Sequence, residues 1–91
     1  MKERRAHIRY DFRNEIMYLL DSRSADGDLK AITIDISDSG LGFYSFRRLR
    51  AGQEITITHG LEHTYRKCTV AWCKELGDDV FRAGLFFTPA E

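Results

Sequence analysis

Three arginines, Arg4, Arg5 and Arg9, stand near the start of the chain, and a carboxylate, a hydroxyl and a glycine follow at Asp35, Ser37 and Gly40. Arginine presents a planar, permanently charged fork that grips phosphate oxygens or the O6/N7 edge of a guanine through paired hydrogen bonds, and its face stacks on a base. Lysine lacks that geometry. A carboxylate at Asp35 accepts from guanine N1 and N2, and the Ser37 hydroxyl reaches a base edge or a phosphate. Gly40, without a Cβ, tolerates positive φ where the backbone turns and lets a ligand approach. Arg5-Ala-His-Ile-Arg9 and Asp35-Ile-Ser37-Asp-Ser-Gly40 together therefore suit a small anionic ligand. The plainer reading of the second segment is a hairpin with Asp and Ser capping bonds, a common use of these residues. His7 reads as a spacer between the arginines.

Charge supports a small ligand over a long polyanion. The 14 basic residues balance the 14 acidic ones, and the pI is near 6.8, which argues against a surface built for nucleic acid. The balance is uneven, because Lys2, Arg4, Arg5, Arg9 and Arg13 outnumber Glu3 and Asp11 at the start. A small nucleic-acid-binding barrel is the rival reading, with Phe43, Tyr44 and Phe46 stacking bases beside Arg47, Arg48 and Arg50. Strand alternation places Phe43 on the face opposite Tyr44 and Phe46, which breaks up such a platform.

One enzyme-like signature also occurs. His59-Gly-Leu-Glu62-His63 matches H-x-x-E-H, which holds zinc only when its side chains share one helix face. Gly60 inside the motif and β-branched residues beside it favour a tight turn, so no metal site and no catalytic residues are expected. The spacing of Cys68 and Cys73 fits neither a redox pair nor a zinc knuckle, and Cys68 reads as a small core residue.

The elements that must position the chemistry are strands. Ile32, Ile34 and Ile36 alternate with Thr33, Asp35 and Ser37; Ile55 and Ile57 alternate with Glu54, Thr56 and Thr58. Cys68, Val70 and Trp72 are expected on one buried face, as are Phe81, Ala83, Leu85 and Phe87. On this pattern Asp35 and Ser37 both point away from the core. Strands are expected near 14–20, 30–37, 41–46, 53–59, 63–75 and 79–87, with Ser22–Asp28 a loop and Gly77-Asp78-Asp79 a turn. Six short antiparallel strands without an amphipathic helix favour an all-β barrel, since closure removes exposed edges. The expected organisation is a flexible basic arm over residues 1–12 followed by the barrel over 13–91. No apolar run is long enough to cross a bilayer and no secretory leader is evident, which places the chain in the cytoplasm.

The two motifs resemble, in order and spacing, the R-x-x-x-R and [D/N]-x-S-x-x-G motifs of the PilZ family. Arg4 ahead of the first motif, Val70-Ala-Trp72 and Arg82-Ala-Gly84-Leu-Phe86 extend the resemblance over essentially the whole chain. It implies a six-stranded antiparallel PilZ-type barrel and a bacterial receptor for cyclic di-GMP, bound by Arg4, Arg5, Arg9, Asp35, Ser37 and Gly40. It implies no enzyme activity, no cofactor besides that ligand, and a downstream partner protein to which the signal passes. A PilZ-like module that mediates protein contacts without ligand is a further alternative. Arg4 before the first motif implies an intercalated pair of cyclic di-GMP molecules. The C-terminal helix that many members append to the barrel is expected to be absent or vestigial.

Overall fold

The computed structural model describes residues 10–20, 29–61 and 65–89. Seven strands follow in order: β1 (Tyr10–Asp11), β2 (Glu15–Leu20), β3 (Leu29–Ile36), β4 (Gly40–Ser45), β5 (Glu54–His59), β6 (Arg66–Gly77) and β7 (Val80–Phe87). Strands β3, β2, β5, β6, β7 and β4 are neighbours in that sequence, and β4 pairs back onto β3. Six antiparallel strands thus close a barrel. The short β1 pairs with Ile36 and Asp35 of β3, on the same edge that β2 occupies at Leu29–Ile32, so β1 and β2 are two parts of one interrupted strand. No helix occurs among the described residues.

A buried threonine spans the interruption. Thr33 is 0% exposed; its hydroxyl donates to the Phe12 carbonyl and accepts from the Asn14 amide at 2.9 Å. The Thr33 amide donates to the Asn14 carbonyl at 2.9 Å, and the Phe12 amide to Ile34 at 3.0 Å. Buried polar groups of this kind persist because each is hydrogen-bonded. Residues 10–12, assigned from the sequence to an arm outside the barrel, are therefore held against β3. Residues 1–9, with Arg4, Arg5 and Arg9, lie outside the described residues, as do the Ser22–Asp28 loop, Glu62 and His63.

Ile16, Leu41, Ile55, Ile57, Cys68 and Ala83 are all 0% exposed and fill the barrel. Tyr18 and Phe43 stack inside it with ring centroids 5.4 Å apart, and the Tyr18 hydroxyl shares a 3.0 Å hydrogen bond with Ser45. Burial pushes the Tyr18 hydroxyl pKa upward, against the opposing pull of that bond. Each fully buried isoleucine, leucine or phenylalanine among them contributes roughly 1.5–3 kcal/mol.

Two β-bulges change which side chains face inward. Ile32, expected in the core, is 41% exposed, whereas Ala31 and Thr33 are 0% exposed. Pairing with β4 passes from Thr33 opposite Phe43 to Asp35 opposite Gly42, leaving Ile34 as the extra residue. Beyond this bulge the alternation is inverted, so Ile36 faces inward with Leu41 and Asp35 faces outward with Gly42. In β6, pairing with β7 passes from Val70 opposite Leu85 to Trp72 opposite Gly84, with Ala71 unpaired. Trp72, expected in the core with Cys68 and Val70, is 45% exposed for this reason. The inward set Phe81, Ala83, Leu85 and half-buried Phe87 is as expected.

Candidate functional site

The bulges bring together a row of residues across five strands on the outside of the barrel. Asp11 of β1 lies opposite Asp35 of β3, Asp35 opposite Gly42 of β4, Gly42 opposite Gly84 of β7, and Gly84 opposite Trp72 of β6. Directly opposed residues share a face, so the row has an acidic end, a floor of two glycines and an aromatic end. Around it lies a groove of about 380 Å³ whose walls include Asp35, Ser39, Gly40, Trp72, Arg82 and Phe86.

The glycines are required by close approach. A Cβ on Gly84 would sit 2.5 Å from Trp72 Nε1 and 2.7 Å from Cε2, so the indole lies flat against that strand. A Cβ on Gly42 would sit 3.1 Å from Asp35 Oδ1. Both glycines are buried, Gly84 under the indole and Gly42 beside the carboxylate, so the groove offers a flat ring its walls: Trp72 and the 57% exposed Phe86 present stacking faces, and Asp35 presents an acceptor edge. Arg82 adds a cation. Its Nε atom is buried and has no hydrogen-bond partner among the described residues, a donor that a ligand acceptor would satisfy.

Of the motif residues expected from the sequence, Asp35 and Gly40 line this groove, but Ser37 does not. Ser37 was expected to point outward beside Asp35; it is 6% exposed and sits in the turn between β3 and β4. Its amide donates to the Gly40 carbonyl at 2.8 Å, and its hydroxyl accepts from the Ser39 amide at 3.3 Å, the capping role of a hairpin serine. Ser37 instead lines a separate cavity of about 420 Å³ with Phe12, Ile36, Leu61, Arg66 and Phe87. Gly40 also departs from expectation. It is the first residue of β4 rather than part of the turn, and its backbone does not adopt positive φ. A Cβ there would overlap the Leu85 carbonyl, so glycine is needed for the approach of β7.

The rival sites fare differently. Phe43 is 0% exposed and stacked on Tyr18, which removes it from any base-stacking platform, while Phe46 is 49% exposed. The Arg47–Arg50 loop is anchored by Leu49, 3% exposed, and Arg48 pairs with Glu75 at 3.0 Å. His59 ends strand β5 and Gly60 follows with φ of 101°, so the first residues of the H-x-x-E-H segment form a strand end and turn. A helix face for two histidines does not begin there.

Trp72, Arg82, Gly42 and Gly84 were not assigned to the site from the sequence. The available signal was the pair of strand-interior glycines, which mark close approach of a backbone or ligand.

Residues 3–91 match the family model of the PilZ domain, and the chain belongs to that family. PilZ domains are receptor and adaptor barrels. Among solved structures, the Bacillus subtilis inhibitor of motility, MotI/DgrA, superposes with a TM-score of 0.74 at 13% identity, covering 99% of this chain and 45% of that one. The chain thus spans less than half of that protein, and the likeness is one of fold. No curated protein matches the chain.

Proposed function

We propose that this PilZ domain is a bacterial cytoplasmic receptor for cyclic di-GMP, without catalytic activity, that passes its ligand-bound state to a partner protein. The observation that carries this reading is the outward row Asp35–Gly42–Gly84–Trp72, which sets a carboxylate and an indole in the walls of one groove. Cyclic di-GMP presents two guanines and two phosphodiesters. A guanine held in the groove donates N1–H and N2–H to Asp35 and stacks towards Trp72. Its phosphates and O6/N7 edges fall to Arg4, Arg5 and Arg9, which precede β1 in the chain, and β1 pairs with β3 at Asp35 and Ile36. Gly40 keeps β4 and β7 close along the groove, and Ser37 fixes the turn that carries Asp35. The neighbour's description as an inhibitor of motility fits a barrel that serves a regulatory protein.

The ligand is expected as an intercalated pair. Arg4, Arg5, Arg9 and Arg82 supply four guanidinium groups, and a stacked pair supplies four phosphates, where a single molecule supplies two. Calorimetric titration with cyclic di-GMP, with GTP and single-stranded RNA as competitors, tests both statements. Two ligands per chain and no displacement by RNA are expected. One ligand per chain would reject the pair and leave the receptor, whereas RNA binding without cyclic di-GMP binding would favour the nucleic-acid barrel. Binding of neither would favour a protein-contact module.

A further inference from the structure

One strand serves both halves of the proposed ligand site. Asp35 of β3 lines the groove; two residues earlier, Thr33 is 0% exposed and its hydroxyl holds the segment that follows the arginines. That segment fits the sheet poorly. β1 pairs with β3 at Asp11 opposite Asp35, and pairing resumes in β2 at Glu15 opposite Ile32. Residues 12, 13 and 14 therefore stand against residues 33 and 34 alone, three residues against two. The Thr33 hydroxyl absorbs the surplus, accepting from the Asn14 amide at 2.9 Å and donating to the Phe12 carbonyl. Asn14 is tied a second time, through Nδ2 to the Gly60 carbonyl at 2.9 Å. Core packing does not account for this clasp. Phe12 is half-buried and Tyr10, Asp11, Arg13 and Asn14 are exposed, so the segment adds little to the barrel interior. Valine, with the branched shape of threonine, would fill the same space without the hydroxyl.

What the segment carries is the arginines. Arg9 is joined directly to Tyr10, which keeps their Cα atoms about 3.8 Å apart, and a strand of two paired residues frays readily unless something else holds it. We infer that Thr33 is a positioning residue for ligand binding: its clasp on Phe12 and Asn14 fixes, relative to Asp35, the point from which Arg9 and Arg5 reach the ligand phosphates. This rests on the receptor reading above. Both halves of the site are then referenced to β3, the carboxylate through its own backbone and the arginines through the Thr33 hydroxyl. A segment held in place before the ligand arrives loses less freedom on binding, which raises affinity without any new contact.

Thr33→Val removes the hydroxyl and Thr33→Ser keeps it. Asn14→Ala removes the second tie at an exposed residue and leaves the core intact. Wild type and each variant are titrated with cyclic di-GMP at low and at high salt, and their melting curves are recorded. Thr33→Val is expected to bind about tenfold more weakly at low salt, and the gap to wild type to narrow at high salt, where the attraction between arginine and phosphate is screened. Thr33→Ser is expected within about twofold of wild type, and Asn14→Ala about threefold weaker at low salt. Wild-type affinity in a folded Thr33→Val would overturn the inference while the receptor reading stands. A loss of the same size at both salt concentrations would also overturn it, because a loosened barrel weakens binding without regard to salt. If Thr33→Val does not fold, Asn14→Ala decides, and wild-type affinity there overturns the inference. Failure of wild type to bind cyclic di-GMP would overturn the receptor reading and this inference with it.

Discussion

Gly40→Ala is expected to destabilise the domain by about 3 kcal/mol or more, at the upper end of overpacking effects. For a domain of this size that lowers the melting temperature by roughly 12 °C or more. The cause is backbone against backbone. The added Cβ would overlap the Leu85 carbonyl and approach Phe86 Cα at 3.2 Å, so no side-chain rotation relieves the contact and β4 must move away from β7. The two strands are paired from Gly40 opposite Phe86 to Ser45 opposite Phe81, and their separation would open the barrel along this seam. Thermal melting followed by circular dichroism reads the effect. A variant that melts within a few degrees of wild type would mean that the close approach relaxes cheaply, and Gly40 would then owe its place to the ligand alone.

Arg5→Ala and Arg9→Ala are each expected to weaken cyclic di-GMP binding by about tenfold or more while the melting temperature stays near that of wild type. A bidentate arginine contact is worth about 1–3 kcal/mol, and about 1.4 kcal/mol is a factor of ten. Both residues precede the first strand pairing at Tyr10, so neither belongs to the described hydrogen-bond ladder or core. Calorimetric titration of each variant beside its melting curve separates binding from folding. Wild-type affinity in both variants would remove the arginine segment from the site.

Strand alternation and turn residues made the barrel legible in the sequence, because period-two patterning survives wherever pairing is regular. Ile55, Ile57, Ala83 and Leu85 show it without interruption. The pattern misled where one residue was added. Ile32, Ile34 and Ile36 look like a single apolar face, yet Ile34 is a bulge and Ile32 and Ile36 lie on opposite sides. A bulge is set by register against a partner strand, and that register is not written in the strand itself. The same blindness placed Trp72 in the core when the Ala71 bulge turns it outward. Asp35 was correctly expected to face outward, although the bulge and not plain alternation puts it there. The deeper loss was the groove: its floor depends on Gly42 meeting Gly84, a pairing between distant segments, and its end on Gly84 meeting Trp72, a register that the Ala71 bulge shifts within one hairpin. Ser37 shows a different limit, since capping and ligand contact call for the same residue.

Trp72 is the sole tryptophan of the chain, so its emission reports on the groove with no competing indole. Titration with cyclic di-GMP, with tryptophan excited selectively, tests most directly whether the ligand occupies the row from Asp35 to Trp72. A guanine stacked towards the indole is expected to quench its emission along a curve that coincides with the calorimetric one. Calorimetric binding with Trp72 emission unchanged would place the ligand elsewhere on the barrel and contradict the account.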